Sequence, residues 1–244
     1  MSRDATRTIR YGGMSSQFVQ MWPPPKGRAL GVIVSLHGGW WRSRHDLHLN
    51  DPLCSALSAD GWLVANVEYR RIDGDGGGWP RTLTDVLDAI DTILAALPDQ
   101  ADGPVVTIGH SAGGHLALLA SSRREVSAAI GLAPVTDLPR CVAEGLGEGA
   151  TKRFLADADA DDVTARNASP LHRLPLGVAQ LIVHGGRDQR VPVEHSRDYV
   201  AAARAEGDEV TYAEVADTDH FQVIDPRHAS WASVRKWLGA RFGR

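Results

Sequence analysis

Short apolar runs alternate along this chain with longer stretches in which apolar residues recur every three or four positions. Runs of the first kind suit strands buried in a sheet, and stretches of the second kind suit amphipathic helices. Phe18-Val19-Gln20-Met21 alternates like a short strand and is closed by Pro23-Pro24-Pro25. Residues 31–36 and 63–67 read as buried strands. The segment between them, with Leu53, Ala56 and Leu57, suits a helix ending near Asp60-Gly61. Leu83, Val86, Leu87, Ile90, Ile93, Leu94 and Leu97 form a helical stripe, which Thr82 or Thr84 is expected to cap and Pro98 to end. Further strands are expected over 105–108, 128–132, 181–183 and 210–215, with helices after the first, over 194–205 and over 229–242.

Strands alternating with helices predict a mostly parallel sheet covered on both faces. Only 137–175 breaks the rhythm. It is polar, rich in glycine and aspartate, with short helical pieces around 150–156, and is expected to be an excursion outside the core that acts as a lid. With no repeat or linker, residues 1–244 read as one domain, and 244 residues suffice for a single core.

Composition narrows the classes. Hydrophobic residues make up 43% and charged residues 23%, which excludes a disordered chain. The net charge is −4 and the basic residues do not cluster, so no nucleic-acid partner is expected. The pairs Arg70-Arg71 and Arg123-Arg124 read as solvated or capping groups. Cys54 and Cys141 fit no metal or disulfide pattern and are expected as buried free thiols. Residues 1–13 are polar, and no apolar run nears the ~18–20 residues that span a bilayer, so a cytoplasmic protein without a membrane partner is expected. Homodimer formation stays open.

The chemistry centres on Gly109-His110-Ser111-Ala112-Gly113, set between an apolar run and a helical pattern. A serine on a strand–turn–helix junction is a nucleophile elbow, with glycines where side chains would clash. A serine hydroxyl needs a base in reach and an acid to orient that base. Asp188 follows the strand over 181–183, and His220 follows the strand over 210–215 just before the last helix. Asp217 and Asp219 compete for the acid's role but stand beside the histidine on its own loop. Of the ten histidines, His220 alone has the strand–loop–helix setting. An oxyanion hole is expected from the N–H groups of Ala112, Gly39 and Trp40, with Gly38 behind them. Trp40, Trp41 and Trp79 are candidates for an aromatic substrate wall. His45, Asp46 and His48 match no compact zinc spacing, so neither metal nor cofactor is expected.

The blocks His37-Gly38-Gly39-Trp40-Trp41, Gly109–Leu116, His184-Gly185-Gly186-Arg187-Asp188 and Asp219-His220-Phe221 resemble the esterase/lipase branch of the α/β-hydrolases. The chain is most similar there to kynurenine formamidase (arylformamidase) and its carboxylesterase relatives, with Trp40 where their loop carries tyrosine. The resemblance implies an α/β-hydrolase fold and a serine hydrolase of small esters or aryl formamides, acting through Ser111, His220 and Asp188. A prolyl-oligopeptidase-like peptidase and a non-catalytic receptor on the same fold are the alternatives.

Overall fold

The computed structural model describes residues 7–97, 103–155 and 162–243. The apolar runs become strands of one sheet: β1 (Arg7–Arg10), β2 (Phe18–Trp22), β3 (Val32–Leu36), β4 (Leu63–Val67), β5 (Val105–His110), β6 (Val126–Leu132), β7 (Ala179–Gly185) and β8 (Val210–Val215). Their order is β1-β2-β4-β3-β5-β6-β7-β8. The pairs β1/β2 and β2/β4 are antiparallel, and from β4 to β8 every pair is parallel. This is the α/β-hydrolase arrangement. β1 escaped the sequence pattern because it lies at the sheet edge with three of its four residues exposed, where no apolar face is required.

Side chains alternate across the sheet, so one strand feeds two cores. Val32, Val34 and Leu36 of β3 pack with α2 (Arg81–Ala96) and α3 (Ala112–Ala120), through Val86, Ile90, Leu116 and Ala117. Ile33 points the other way and joins Val64, Val106 and Ile108 under α1 (Asp51–Ala59) and α8 (Trp231–Phe242). The α7 helix (Val193–Ala205) buries Tyr199, Val200 and Ala203 on Ala129 and Ile182.

Two local expectations are corrected. Pro80 occupies the N-cap of α2. The Thr82 hydroxyl instead donates to the Arg70 carbonyl (2.8 Å) and accepts from the Gly78 N–H (2.9 Å), and Thr84 donates to the Pro80 carbonyl. Pro98 lies outside the described residues. Arg70 is not a solvated residue, because its guanidinium grips the fully buried Asp85 carboxylate at 2.7 Å.

The 137–175 insertion is also more than an excursion. It carries α4 (Leu138–Ala143), α5 (Ala150–Phe154) and α6 (Asp162–Asn167), with residues 156–161 outside the described part. Leu138, Cys141, Ala150, Phe154 and Leu155 are buried in the same core as β3 and α3. Its polar composition describes its outer surface, and a few apolar side chains anchor its inner one.

The topology decides where a site can form. From β3 the chain moves to β4 on one side, then returns to β3's other side as β5. The carboxyl ends of β3 and β5 therefore frame a crevice where the strand order reverses. Because β3, β5, β7 and β8 are parallel, the loops that follow them leave from the same edge. Close packing of α3 fixes the depth of this crevice, since a Cβ at Gly113 would run into the carbonyls of Leu36 and His37. Gly113→Ala is expected to cost about 1–3 kcal/mol through overpacking, read as a lower urea midpoint; an unchanged midpoint would mean that α3 has room to move away.

Candidate active site

Ser111 stands between β5 and α3 with φ 55° and ψ −117°, a backbone conformation that side chains other than glycine avoid. Three hydrogen bonds hold it there. Its N–H donates to Leu132 (2.9 Å), and its carbonyl accepts from His115 (3.1 Å) and Val135 (3.2 Å). A Cβ at Gly109 would strike the carbonyl of Gly113, so the strand can turn directly into the helix only through glycine.

Asp188 and His220 arrive from the far half of the sheet. Asp188 follows β7, and each of its oxygens is doubly engaged. Oδ1 accepts the N–H groups of Arg190 (2.8 Å) and Val191 (2.9 Å). Oδ2 accepts His220 Nδ1 (2.6 Å) and His184 Nε2 (3.1 Å). Burial alone would raise this carboxyl's pKa, but the hydrogen bonds from His184 and His220 outweigh it and hold the group well below the usual carboxylate range. Donation from Nδ1 to a carboxylate assigns the His220 proton to that nitrogen and leaves Nε2 as the acceptor. The rival acids are occupied elsewhere, with Asp217 paired to Arg187 and Asp219 accepting the N–H groups of Phe221 and Gln222.

Two further histidines brace the pair. His110 is buried, and its Nε2 donates to the His220 carbonyl at 2.8 Å while its ring leans on the His220 ring at 4.5 Å. Burial, and then the neighbouring His220, push its pKa well below the ordinary imidazole value. His184 ties Asp188 to the Val191 carbonyl (2.9 Å) and to Ser196 Oγ (2.7 Å).

The loop after β3 turns through positive φ at Gly39, Trp40 and Trp41 (116°, 53° and 55°). Among the described residues the N–H groups of Gly39 and Trp40 have no hydrogen-bond partner. Ala112 opens α3, so its N–H has no carbonyl within the helix to meet. The loop stands on a buried base. His37 Nδ1 donates to the Gly38 carbonyl (2.8 Å), and its Nε2 meets Glu68 Oε1 (3.1 Å). The Tyr69 hydroxyl donates to the His37 carbonyl (2.5 Å) while the two rings stack at 4.3 Å.

These elements surround a cavity of about 380 Å³, lined by Ser111, His220, His110, Gly39, Trp40 and Phe221, with Arg44, His45 and Arg190 completing it. That volume suits a small molecule. A family comparison matches residues 20–202 to the BD-FAE family. This chain belongs to the BD-FAE family. Among other similar proteins, Esterase LipC of Mycobacterium tuberculosis is 27% identical over 251 residues, covering 90% of this chain and 60% of LipC. Esterase LipQ of the same organism is 28% identical over 270 residues, covering 98% of this chain and 63% of LipQ. The chain thus spans about three fifths of the length of these relatives. In fold it is similar to a truncated carbohydrate esterase from gut microbiota, with a TM-score of 0.81 at 17% identity over 98% of this chain and 97% of that one.

Within this BD-FAE chain, of the three tryptophans expected to form an aromatic wall, Trp40 lines the cavity and Trp41 and Trp79 do not. Trp41 is fully buried, stacked on Phe154 at 4.2 Å and edge-on to His115 at 5.1 Å. It belongs to the core under the insertion. Trp79 is half-buried against that core, with its N–H on the Phe154 carbonyl, and does not line the cavity. The cavity's aromatic surface comes from Trp40 and from Phe221, whose only sequence signal is its position next to His220. Glu68 and Tyr69 gave no sign beyond following a buried strand. His195 is buried and bonded to Glu144 at 2.9 Å. His45, Asp46 and His48 diverge: His45 lines the cavity, Asp46 accepts the His48 N–H, and His48 pairs with Asp51.

The depressed pKa of Asp188 has a stability consequence of definite sign. A carboxylate whose folded pKa lies below its unfolded value stabilises fully above the ordinary range, and loses that contribution as pH falls toward the folded value. Asp188→Asn is therefore expected to be less stable than wild type near neutral pH, with the gap narrowing below about pH 4. Urea midpoints of both proteins at several pH values test this, and a gap that widens in acid contradicts it.

Proposed function

We propose that this chain is a serine esterase of small carboxylic esters working through an acyl-enzyme. The observation that carries the reading is that Ser111, on its strained elbow, and His220, bonded to Asp188 at 2.6 Å, line one small cavity together with the unbonded N–H groups of Gly39 and Trp40. Ser111 Oγ attacks the ester carbonyl and gives its proton to His220 Nε2. Asp188 steadies the resulting imidazolium through Nδ1. The carbonyl oxygen gains negative charge, which the N–H groups of Ala112, Gly39 and Trp40 take up, a stabilisation of roughly 3–4 kcal/mol per donor in other acyl-transfer enzymes. Collapse expels the alcohol, protonated by His220, and leaves the acyl group on Ser111. Water activated by the same imidazole then releases the acid.

Esters are preferred over aryl formamides in this reading, because LipC and LipQ are esterases and the aryl-formamidase loop carries tyrosine where this chain has Trp40. No geometric feature favours a peptidase or receptor reading.

Ser111→Ala is expected to lower kcat on 4-nitrophenyl acetate by about 10³–10⁶-fold. A fluorophosphonate probe is expected to label the wild-type protein at Ser111. Unlabelled but folded protein would favour the receptor alternative. Substrate preference is read by comparing kcat/KM on short aryl esters and on N-formylkynurenine, and a clear advantage for the formamide would reverse the ester assignment.

A further inference from the structure

The proposed ester-hydrolase mechanism uses only part of the cavity lining. Arg44, on the loop that carries the Gly39 and Trp40 donors, and Arg190, on the loop that carries Asp188, also line it. Nearby arginines are all committed: Arg42 to Glu148 (2.9 Å), Arg71 to Glu68 (3.3 Å) and Arg187 to Asp217 (2.6 Å). Arg44 and Arg190, by contrast, have no ion pair among the described residues.

The nearby carboxylates form no ion pair with them among the described residues. Asp188 is fully buried and already accepts four hydrogen bonds. Asp46 accepts the His48 N–H, and Asp73 accepts the Ser43 N–H at 2.6 Å. The chain as a whole carries 30 acidic and 26 basic residues, yet among the described residues no aspartate or glutamate lines this cavity. A concave site with one sign of charge concentrates ligands of the opposite sign. His45 adds no compensating negative group, and burial followed by the Arg44 charge lowers its pKa from the ordinary value. The remaining wall is aromatic, from Trp40 and from Phe221, which is 45% exposed.

Resting on the esterase reading above, we propose that the enzyme selects esters that also carry a free carboxylate, which Arg44 and Arg190 bind while Ser111 attacks the ester carbonyl. A guanidinium presents a planar fork of donors that matches a carboxylate in two-point contact, which a lone ammonium cannot reproduce. An apolar or aromatic body between ester and carboxylate lies against Trp40 and Phe221. The reaction itself is unchanged, with the second carboxylate of the substrate acting only as a handle.

Two matched pairs of substrates test this. In the first, 4-acetoxybenzoate and 4-acetoxybenzamide place the charge on the alcohol side; in the second, monomethyl and dimethyl adipate place it on the acyl side. The readout is the ratio of kcat/KM for the anionic over the neutral member, compared between wild type, Arg44→Gln, Arg190→Gln and the double variant. Taking the ratio cancels any change common to both substrates, including partial misfolding. Exposed charge pairs suggest about a 1.5- to 5-fold fall for each arginine, and about fivefold or more for the double variant, in at least one pair. Arg→Lys at both sites should restore part of the ratio, and salt at about 0.5 M should depress it in wild type alone. A ratio that is the same in wild type and the double variant for both pairs overturns the inference and leaves the esterase reading standing. Failure of wild type to hydrolyse any of the four esters overturns both.

Discussion

Ser111 is held at φ 55° where the sheet's central strand meets its most buried helix, and much of the surrounding structure follows from that constraint. A residue in such a conformation persists only if its neighbours over-determine it. Here the end of β6 supplies an acceptor for the serine N–H, while His115 and Val135 donate to its carbonyl, so three segments close on one residue. The small residues of the elbow let α3 lie on β3 at backbone distance, which brings the loop after β3 up to the hydroxyl. The same closeness explains why the Gly39 and Trp40 N–H groups border the cavity that Ser111 lines.

The second half of the site is organised by a single carboxylate. Asp188 accepts two backbone N–H groups through one oxygen and two imidazoles through the other. The backbone bonds define where the acid sits, and the imidazoles define what it does. His184 anchors it to α7 through Ser196, and His220 receives its orientation from it. His110 then closes the circuit by donating to the His220 carbonyl, so the elbow strand and the histidine loop are bonded directly. The position of His220 is thus shared between a hydrogen bond to a carboxylate at its ring and one to a neutral imidazole at its backbone. Only the first depends on the protonation of a carboxyl group.

What the sequence disclosed follows the physics of each signal. The strands from β2 onward and the helical stripe of α2 were legible because both are written in hydrophobic periodicity, which burial enforces. Ser111, Asp188 and His220 stood out because each sits where a strand ends. β1 was invisible because an edge strand needs no apolar face. Trp41 was misread because a tryptophan beside a glycine loop gives the same string whether its ring turns inward or outward; positive φ at two successive residues sends Trp40 to the cavity and Trp41 to Phe154. Arg44 and Arg190 could not have been singled out, since their distinction is the lack of an ion pair, a property of three-dimensional surroundings. The insertion was judged by its average polarity, which hides the five or so apolar side chains that fix it to the core.

That fixing bears on the site itself. Arg42 directly follows Trp41 on the loop after β3, and its guanidinium donates to the carbonyls of Gly147 (3.0 Å) and Glu148 (2.8 Å) in the insertion. Gly147 meanwhile lies flat against the Trp40 ring, close enough that a Cβ would enter it. All three contacts use backbone carbonyls or van der Waals packing, which salt screens far less than an exposed ion pair. Behind them, Phe154 stacks on Trp41. The insertion therefore grips the loop from both of its tryptophans, one at the cavity and one in the core. Its influence on the cavity comes through the position it imposes on Trp40, and hence on the N–H that Trp40 presents.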